Sequence, residues 1–284
     1  MNRVNEKILL VASARDPASM NIFENLRDLV DLEKLEERIL GVETFYCGEI
    51  DNYLIIIGED LIMADFLDNL PRIFNRLLFL SKHASESKMP SLLVHFPGNW
   101  TLDNSMGGEP RKLSIADPIL HRALIDSLIK QKESGVIPEN FTVGIEVTHH
   151  GPTLGRACTF IEIGSTIDEW KNQRVGRIVA ECVIDSIRSI DKYSSESFDT
   201  WIGFGGPHYA PKFFSLLLKE RIMLGHLAPK YVADEIDDRM VREAFEFSLI
   251  RPKGALIDWK GLRSPQRKKI VSILENLGMS YSKI

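Results

Sequence analysis

Short apolar runs bounded by Gly, Pro and polar turns alternate along this chain with longer segments of helical period, an order that few architectures accommodate. KILLVAS (Lys7–Ser13) reads as a first buried strand, and SLLVHF (Ser91–Phe96), FTVGIEVT, CTFIEIG (Cys158–Gly164) and WIGFGG (Trp201–Gly206) read as further interior strands. A helix follows the Asp16-Pro17 turn, with Ser19 as its N-cap and Ile22, Phe23, Leu26, Leu29 and Val30 on one face. DFLDNLPRIFNRLLFLSKH is helical by period with Pro71 at a helix start, as are Ile115 to Lys132 and TIDEWKNQRVGRIVAECVIDSI, capped by Thr166. FYCGEIDNYLIIIGED suggests a hairpin turning around Glu49 to Asn52. A helix rich in Phe and Leu follows Pro211, and the C-terminal stretch alternates charged and apolar residues at helical spacing. The order predicts one α/β domain over residues 1–284 with loop insertions, its mixed sheet covered by helices on both faces. In such sheets functional groups gather at the carboxyl ends of strands.

No apolar run reaches the length of a membrane span, and the N-terminus lacks a secretion signal, so a soluble, cytoplasmic protein is expected. Cys47, Cys158 and Cys182 are scattered, odd in number and without a CxxC pattern, which fits a reducing compartment. Net charge is −5, so a polyanion would need a local positive face. Arg111-Lys112, Lys171 with Arg174 and Arg177, and the run Arg263 to Lys269 are its candidates, although a charge run is usually a solvated helix face.

The histidines carry more information. His95 closes SLLVHF, His149 and His150 follow FTVGIEV in EVTHHGPTLG (Glu146–Gly155), and His208 follows WIGFGG by one proline. A lone strand-end histidine is more often a hydrogen-bonded structural residue, but three loops repeating the pattern beside Gly or Pro point to one site. Neighbouring side chains of an extended segment diverge, so one of His149 and His150 is expected to face the cleft and the other to orient the loop. Gly98, Gly107-Gly108, Gly151, Gly155 and Gly205-Gly206 allow close backbone approach to a ligand or simply form turns. Glu146 and Glu162 are the carboxylate partners on flanking strands. His83 reads as lying near a helix end, His121 as an exposed helical residue, and His226 as part of a turn beside Lys230 and Tyr231.

A GxxxxGK[ST] loop, HExxH, GxSxG and a GxGxxG after the first strand are all absent, which counts against phosphoryl transfer, dinucleotide redox and serine-esterase chemistry. What remains is histidine chemistry: polarising a water, binding a metal or gripping a polar substrate.

SKHAS, VHFPGN, GGEPRKLSIADP, VGIEVTHHGPT, FIEIGSTIDEW, GGPHYAPKF and GHLAPKY occur in that order, and together they resemble the archaeal and plant type of D-aminoacyl-tRNA deacylase from about Leu80 to Tyr231, with KGL (Lys260–Leu262) as a fainter tail. The resemblance implies a fold related to peptidyl-tRNA hydrolase and nucleoside phosphorylases. It also implies hydrolysis of the ester joining a D-amino acid to the terminal ribose of tRNA, and a Zn2+ cofactor. On the matching positions it implies His149, His150, Glu146 and His208 as catalytic. Substrate binding would fall to Lys82, His83, His95, Gly98, Asn99, Gly151, Gly205, Gly206, Tyr209, His226 and Lys230, and the metal to His95, His150 and His208. Lys82, Arg111, Lys112, Lys212 and Lys230 are candidates to grip phosphates of the acceptor end, with the protein working as a monomer. Lys82 stands where arginine is expected, and the loop FPGNWTLDNSMGG departs from the pattern. The alternatives are a phosphorylase-like nucleoside- or nucleotide-binding protein without hydrolase activity, and a purely structural histidine pair.

Overall fold

A computed structural model describes residues 7–284. Its elements run β1 (Ile8–Ser13), α1 (Pro17–Leu29), β2 (Leu32–Lys34), β3 (Glu43–Cys47), β4 (Asn52–Ile57), β5 (Arg76–Ala84), β6 (Ser91–His95), β7 (Gly98–Asn99), β8 (Lys112–Leu113), β9 (Ile115–Ala116), α2 (Pro118–Glu133), β10 (Thr142–Ile145) and β11 (Ala157–Ser165). They continue with α3 (Ile167–Trp170), α4 (Gln173–Arg188), α5 (Ile190–Ser195), β12 (Asp199–Phe204), α6 (Pro211–Lys219), β13 (Ile222–Ala228), α7 (Asp238–Glu246), β14 (Gly254–Ile257), α8 (Ser264–Asn276) and β15 (Tyr281–Lys283).

The larger sheet is mixed, ordered β10-β6-β11-β5-β1-β4-β3-β2, with β9 also paired to β11. Strands β4, β1, β5 and β11 run parallel, as do β6 and β10. The two blocks meet along an antiparallel seam between β6 and β11, where Phe160 lies opposite His95 and Glu162 opposite Leu93. On one face Leu10, Leu78, Leu80, Val94 and Ile161 pack with the apolar stripes of α1, α2 and α4. On the other, Leu9, Val11, Leu77, Phe79 and Phe160 are covered by short 3-10 turns bearing Leu61 and Leu67. Strand alternation and register place His83, Glu162 and His95 on this second face.

Several local expectations change. RLLFLSKHA is a strand, β5, because it lies between β1 and β11 with both faces covered, where apolar residues run on without alternating. His83 therefore sits on a strand and not at a helix end. Asp16, not Ser19, caps α1: its Oδ1 accepts from Ala18 N at 2.9 Å and Ser19 N at 3.0 Å. The helix read from Thr166 is split into α3 and α4, the second capped by Asn172. His121 is 1% exposed, packed on the Phe96 ring at 4.8 Å between centroids, because the face of α2 that carries it turns inward.

WIGFGG does not join the larger sheet. It forms β12 in a second, all-parallel sheet ordered β13-β12-β14-β15, whose last two strands were hidden in the charged C-terminal stretch. Phe213 and Leu217 of α6 pack in the same core as Leu224 and Leu256, while α7 and α8 pack against Ile202, Phe204 and Ile257. No helix among the described residues is long and apolar enough to cross a membrane.

Arg76, at the start of β5, makes a buried two-pronged pair with Asp117, the N-cap of α2, at 2.7 and 3.0 Å. Arg76→Met leaves that carboxylate buried without its partner, and the expected loss is about 3 to 5 kcal/mol in urea-denaturation stability. A loss below about 1 kcal/mol would show that Asp117 is not held by Arg76.

Candidate active site

An aromatic stack on the second sheet face leads into the site. Phe79 stacks on Phe160 at 4.5 Å between centroids, and the His95 ring continues the stack on Phe160 at 5.1 Å. The turn leaving β10 then adds His149 at 4.4 Å and His150 at 4.8 Å from His95. His208, from the loop after β12, lies 4.6 Å from His149. The turn is fastened on three sides: Val147 N donates to His208 O, Thr148 N to Leu227 O, and Gly98 N to His150 O, at 2.7 to 2.9 Å.

The expected divergence of His149 and His150 is overturned. His150 takes a left-handed conformation, φ 49°, so the backbone is not extended and both rings turn into the same cluster, 4.3 Å apart. The rule of carboxyl strand ends also needs amending. Because β6 opposes β11, His95 at the end of β6 lies over Phe160 near the start of β11, so the site sits on the face of the sheet.

Two carboxylates are buried here. Glu146 Oε1 accepts from His208 Nε2 at 2.8 Å, and His83 Nδ1 lies 3.4 Å from Glu146 and 3.3 Å from Glu162. A Cβ on Gly164 would stand 2.9 Å from the His83 ring, so glycine there leaves room for it. Burial alone would depress His83, but the two carboxylates outweigh it and raise its pKa to about 11, leaving an imidazolium at neutral pH. Burial likewise pushes Glu146 and Glu162 upward, yet the histidines win and both are lowered. Burial would also lower His95, but Glu162 and then Glu146 raise it. Burial and the neighbouring rings bring His149 well below its usual range, and burial with His95 brings His150 to about 4, so both rings are neutral.

The tautomers follow from the backbone. His149 Nδ1 meets Val147 O at 2.8 Å, His150 Nδ1 meets Gly151 O at 2.6 Å and His95 Nδ1 meets Phe96 O at 3.3 Å. A carbonyl only accepts, so each Nδ1 donates and each neutral ring keeps its Nε2 lone pair. His95 Nε2 is buried with no hydrogen-bond partner. His95, His149 and His150 have ligand atoms within 4.8 Å of one another, as do Glu146, His149 and His208, and His83, Glu146 and Glu162. The expected trio of His95, His150 and His208 is not among these sets; His149 takes the place of His208, which is drawn to Glu146.

Two cavities adjoin the cluster. One of about 430 Å³ is lined by Asp16, Ser81, Lys82, His83, Glu162 and His208, and one of about 180 Å³ by Gly98, Asn99, Trp100, Thr148 and Tyr231. His149, His150 and Met106 line both and form the wall between them. Tyr209 stands beside the larger one, its hydroxyl 3.2 Å from His83 Nε2.

Other expected residues lie elsewhere. His226 is fully buried: Nε2 donates to Ser114 O at 2.9 Å and Phe247 O at 3.0 Å, and Nδ1 accepts from Thr148 Oγ1 at 3.0 Å, so it braces the histidine turn without reaching the cleft. Gly205 and Gly206 pack against Leu262 and Asp258, and Gly151 packs against Gly108, so the close approach they permit is to the chain itself. Lys230 lines neither cavity. Arg111, Lys112 and Lys212 are engaged by Asp237, Glu109 and Asp258. Tyr231 was given no role from sequence, yet its hydroxyl is 3.0 Å from His208 Nδ1; its place in GHLAPKY was the available signal. Asp16 and Met106 carried no signal beyond lying in turns.

A profile described as D-aminoacyl-tRNA deacylase matches residues 71–282. The D-aminoacyl-tRNA deacylase of Methanocaldococcus jannaschii is 34% identical over 285 residues, covering 98% of this chain and 100% of that one. That of Methanococcus maripaludis strain C7 is 33% identical over 284 residues, covering 97% and 99%. The crystal structure of AF0625, a conserved protein of unknown function, superposes with a TM-score of 0.86 at 28% identity, covering 98% of this chain and 95% of that one.

The His83 cluster has a pH signature. A raised His83 stabilises the fold fully below pH 6.5 and loses that contribution as pH climbs toward about 11. A lowered Glu162 stabilises it above pH 4.5 and loses that contribution on further acidification. The melting-temperature gap between wild type and Glu162→Gln is therefore expected to be widest between pH 4.5 and 6.5. A gap that does not change with pH would dissolve the pairing.

Proposed function

Because this chain belongs to the D-aminoacyl-tRNA deacylase family, we propose that the histidine wall between the two cavities is where the ester of D-aminoacyl-tRNA is hydrolysed. The reaction releases a free D-amino acid and tRNA. The ester lies across the shared wall, with its aminoacyl and adenosine sides in different cavities. The observation that carries this reading is the gathering of His95, His149 and His150 with every Nδ1 turned to a backbone carbonyl, which leaves the Nε2 lone pairs of the neutral His149 and His150 free.

An aminoacyl ester is already activated, so its hydrolysis asks for an oriented water, a base and stabilisation of the carbonyl oxygen. In the metal-free site the neutral His149 and His150 supply acceptors for the water's proton, a role their Nε2 atoms give up where they hold a metal. His208, held by Glu146 and by the Tyr231 hydroxyl, borders the wall and orders its edge. The His83 imidazolium keeps the two buried carboxylates charged and polarises the Tyr209 hydroxyl.

The trio also fits zinc. Its donors are nitrogen, each is oriented through its second nitrogen as metal-bound histidines usually are, and buried His95 Nε2 lacks a partner. The acidic pair that favours a proton on His95 favours any cation placed there. Zinc held by His95, His149 and His150 would supply Lewis acidity toward the water and the ester carbonyl. A reducing, cytoplasmic setting agrees with three free, buried cysteines.

D-tyrosyl-tRNA incubated with the purified protein should release D-tyrosine, and a chelator should suppress the release. His150→Ala should lower kcat by about 10²- to 10⁴-fold while tRNA binding persists. No release with or without chelator would defeat the reading.

The working form of His150 is the neutral ring, present above about pH 4. The acid limb of kcat/KM should thus lie below pH 5, well under the ordinary histidine value of 6.5. A single midpoint at 6.5 in a pH–rate profile would remove His150 from this role.

A further inference from the structure

The second sheet offers a surface that the cleft alone does not explain. Its four strands are parallel in the order β13-β12-β14-β15, so their carboxyl ends share one edge. The loop from β12 carries His208 into the cleft. On one side the chain leaving β13 presents Lys230, and on the other the chain leaving β14 presents Lys260 and β15 ends on Lys283. These three lysines are exposed and make no ion pair among the described residues. Two of the nearby carboxylates are already engaged: Asp258 by Lys212 and by Gly261 N at 2.9 Å, and Asp234 by Arg263.

The row is also built in place. Lys283 Nζ lies 4.0 Å from the Trp259 ring centroid and the Arg267 guanidinium 5.2 Å from it, so one indole holds two cations beside Lys260. Lys230 N donates to Gly206 O at 2.9 Å, and Gln266 Nε2 donates to Lys230 O at 3.2 Å, fixing the backbone at the other end. Strands lie about 4.8 Å apart, so the cations extend roughly 14 Å from the β13 end to that of β15.

We propose that this edge is the docking surface for the phosphodiester backbone of the tRNA acceptor arm, with Lys230, Lys260 and Lys283 as its phosphate contacts. The inference rests on the deacylase reading and adds the partner's footprint to it. A chain of net charge −5 needs a local concentration of unpaired cations to hold a polyanion, and this row continues directly from a cleft residue. Phosphate contacts of this kind position a nucleic acid without reading its sequence.

The test compares wild type with Lys260→Glu/Lys283→Glu on D-tyrosyl-tRNA and on the minimal ester D-tyrosyl-adenosine, across a salt series. The expected result is a drop of about tenfold or more in kcat/KM for the tRNA, with the slope of log(kcat/KM) against log[salt] shallower by about 1.5. The adenosine ester should be turned over unchanged. Equal activity on tRNA, or an equal loss on both substrates, would overturn the proposal. Lys260→Gln/Lys283→Gln, which adds no repulsion, should give a smaller loss in the same direction. Binding of uncharged tRNA by fluorescence anisotropy should weaken in both variants, and unchanged binding overturns the footprint. If wild type turns over neither ester, the deacylase reading fails, while anisotropy still decides whether this edge holds tRNA.

Discussion

Two carboxylates buried on an otherwise apolar sheet face set the terms for everything around them. An isolated buried charge is strongly unfavourable, and proteins keep one only by pairing it. Glu146 and Glu162 are 2% and 3% exposed, and His83 stands between them. His208 and His95 close the remaining approaches. The glycine at 164 that admits His83 and the aromatic stack that seats His95 serve this arrangement. Without the carboxylates His83 would revert to a neutral ring, and the electrostatic reason for gathering imidazoles here would vanish.

Environment separates histidines that look alike in sequence. His226 and His83 are both buried and both lie in short motifs of the same resemblance. One meets two carboxylates and holds a proton to about pH 11; the other meets two backbone carbonyls and a threonine, and burial takes it to about 4. The first joins the carboxylate cluster and the second braces the scaffold, and residue type alone does not distinguish them.

The legible part of the fold was whatever leaves a periodic or compositional trace. Strands such as KILLVAS and CTFIEIG were plain because apolar, β-branched runs end at turns. Histidines placed at three strand ends were enough to foresee a shared site, and His95, His149, His150 and His208 do meet. RLLFLSKHA was misread because a strand covered on both faces lacks alternation. The left-handed φ at His150 left no trace, since histidine is not a residue that announces such a conformation as glycine does. Strand direction was equally silent, because nothing in SLLVH distinguishes parallel from antiparallel neighbours.

That unannounced reversal between β6 and β11 makes backbone ladder spacing the ruler of the distances within the histidine–carboxylate cluster. His95 belongs to one block of strands and Glu162 to the other, and the antiparallel register of β6 on β11, with Phe160 opposite His95, fixes their separation. A slip of one residue would turn one partner to the opposite side of the sheet, and a slip of two would carry it about 6.8 Å along the strand. The geometry of the histidine cluster is therefore set as much by buried main-chain register as by the side chains that form it.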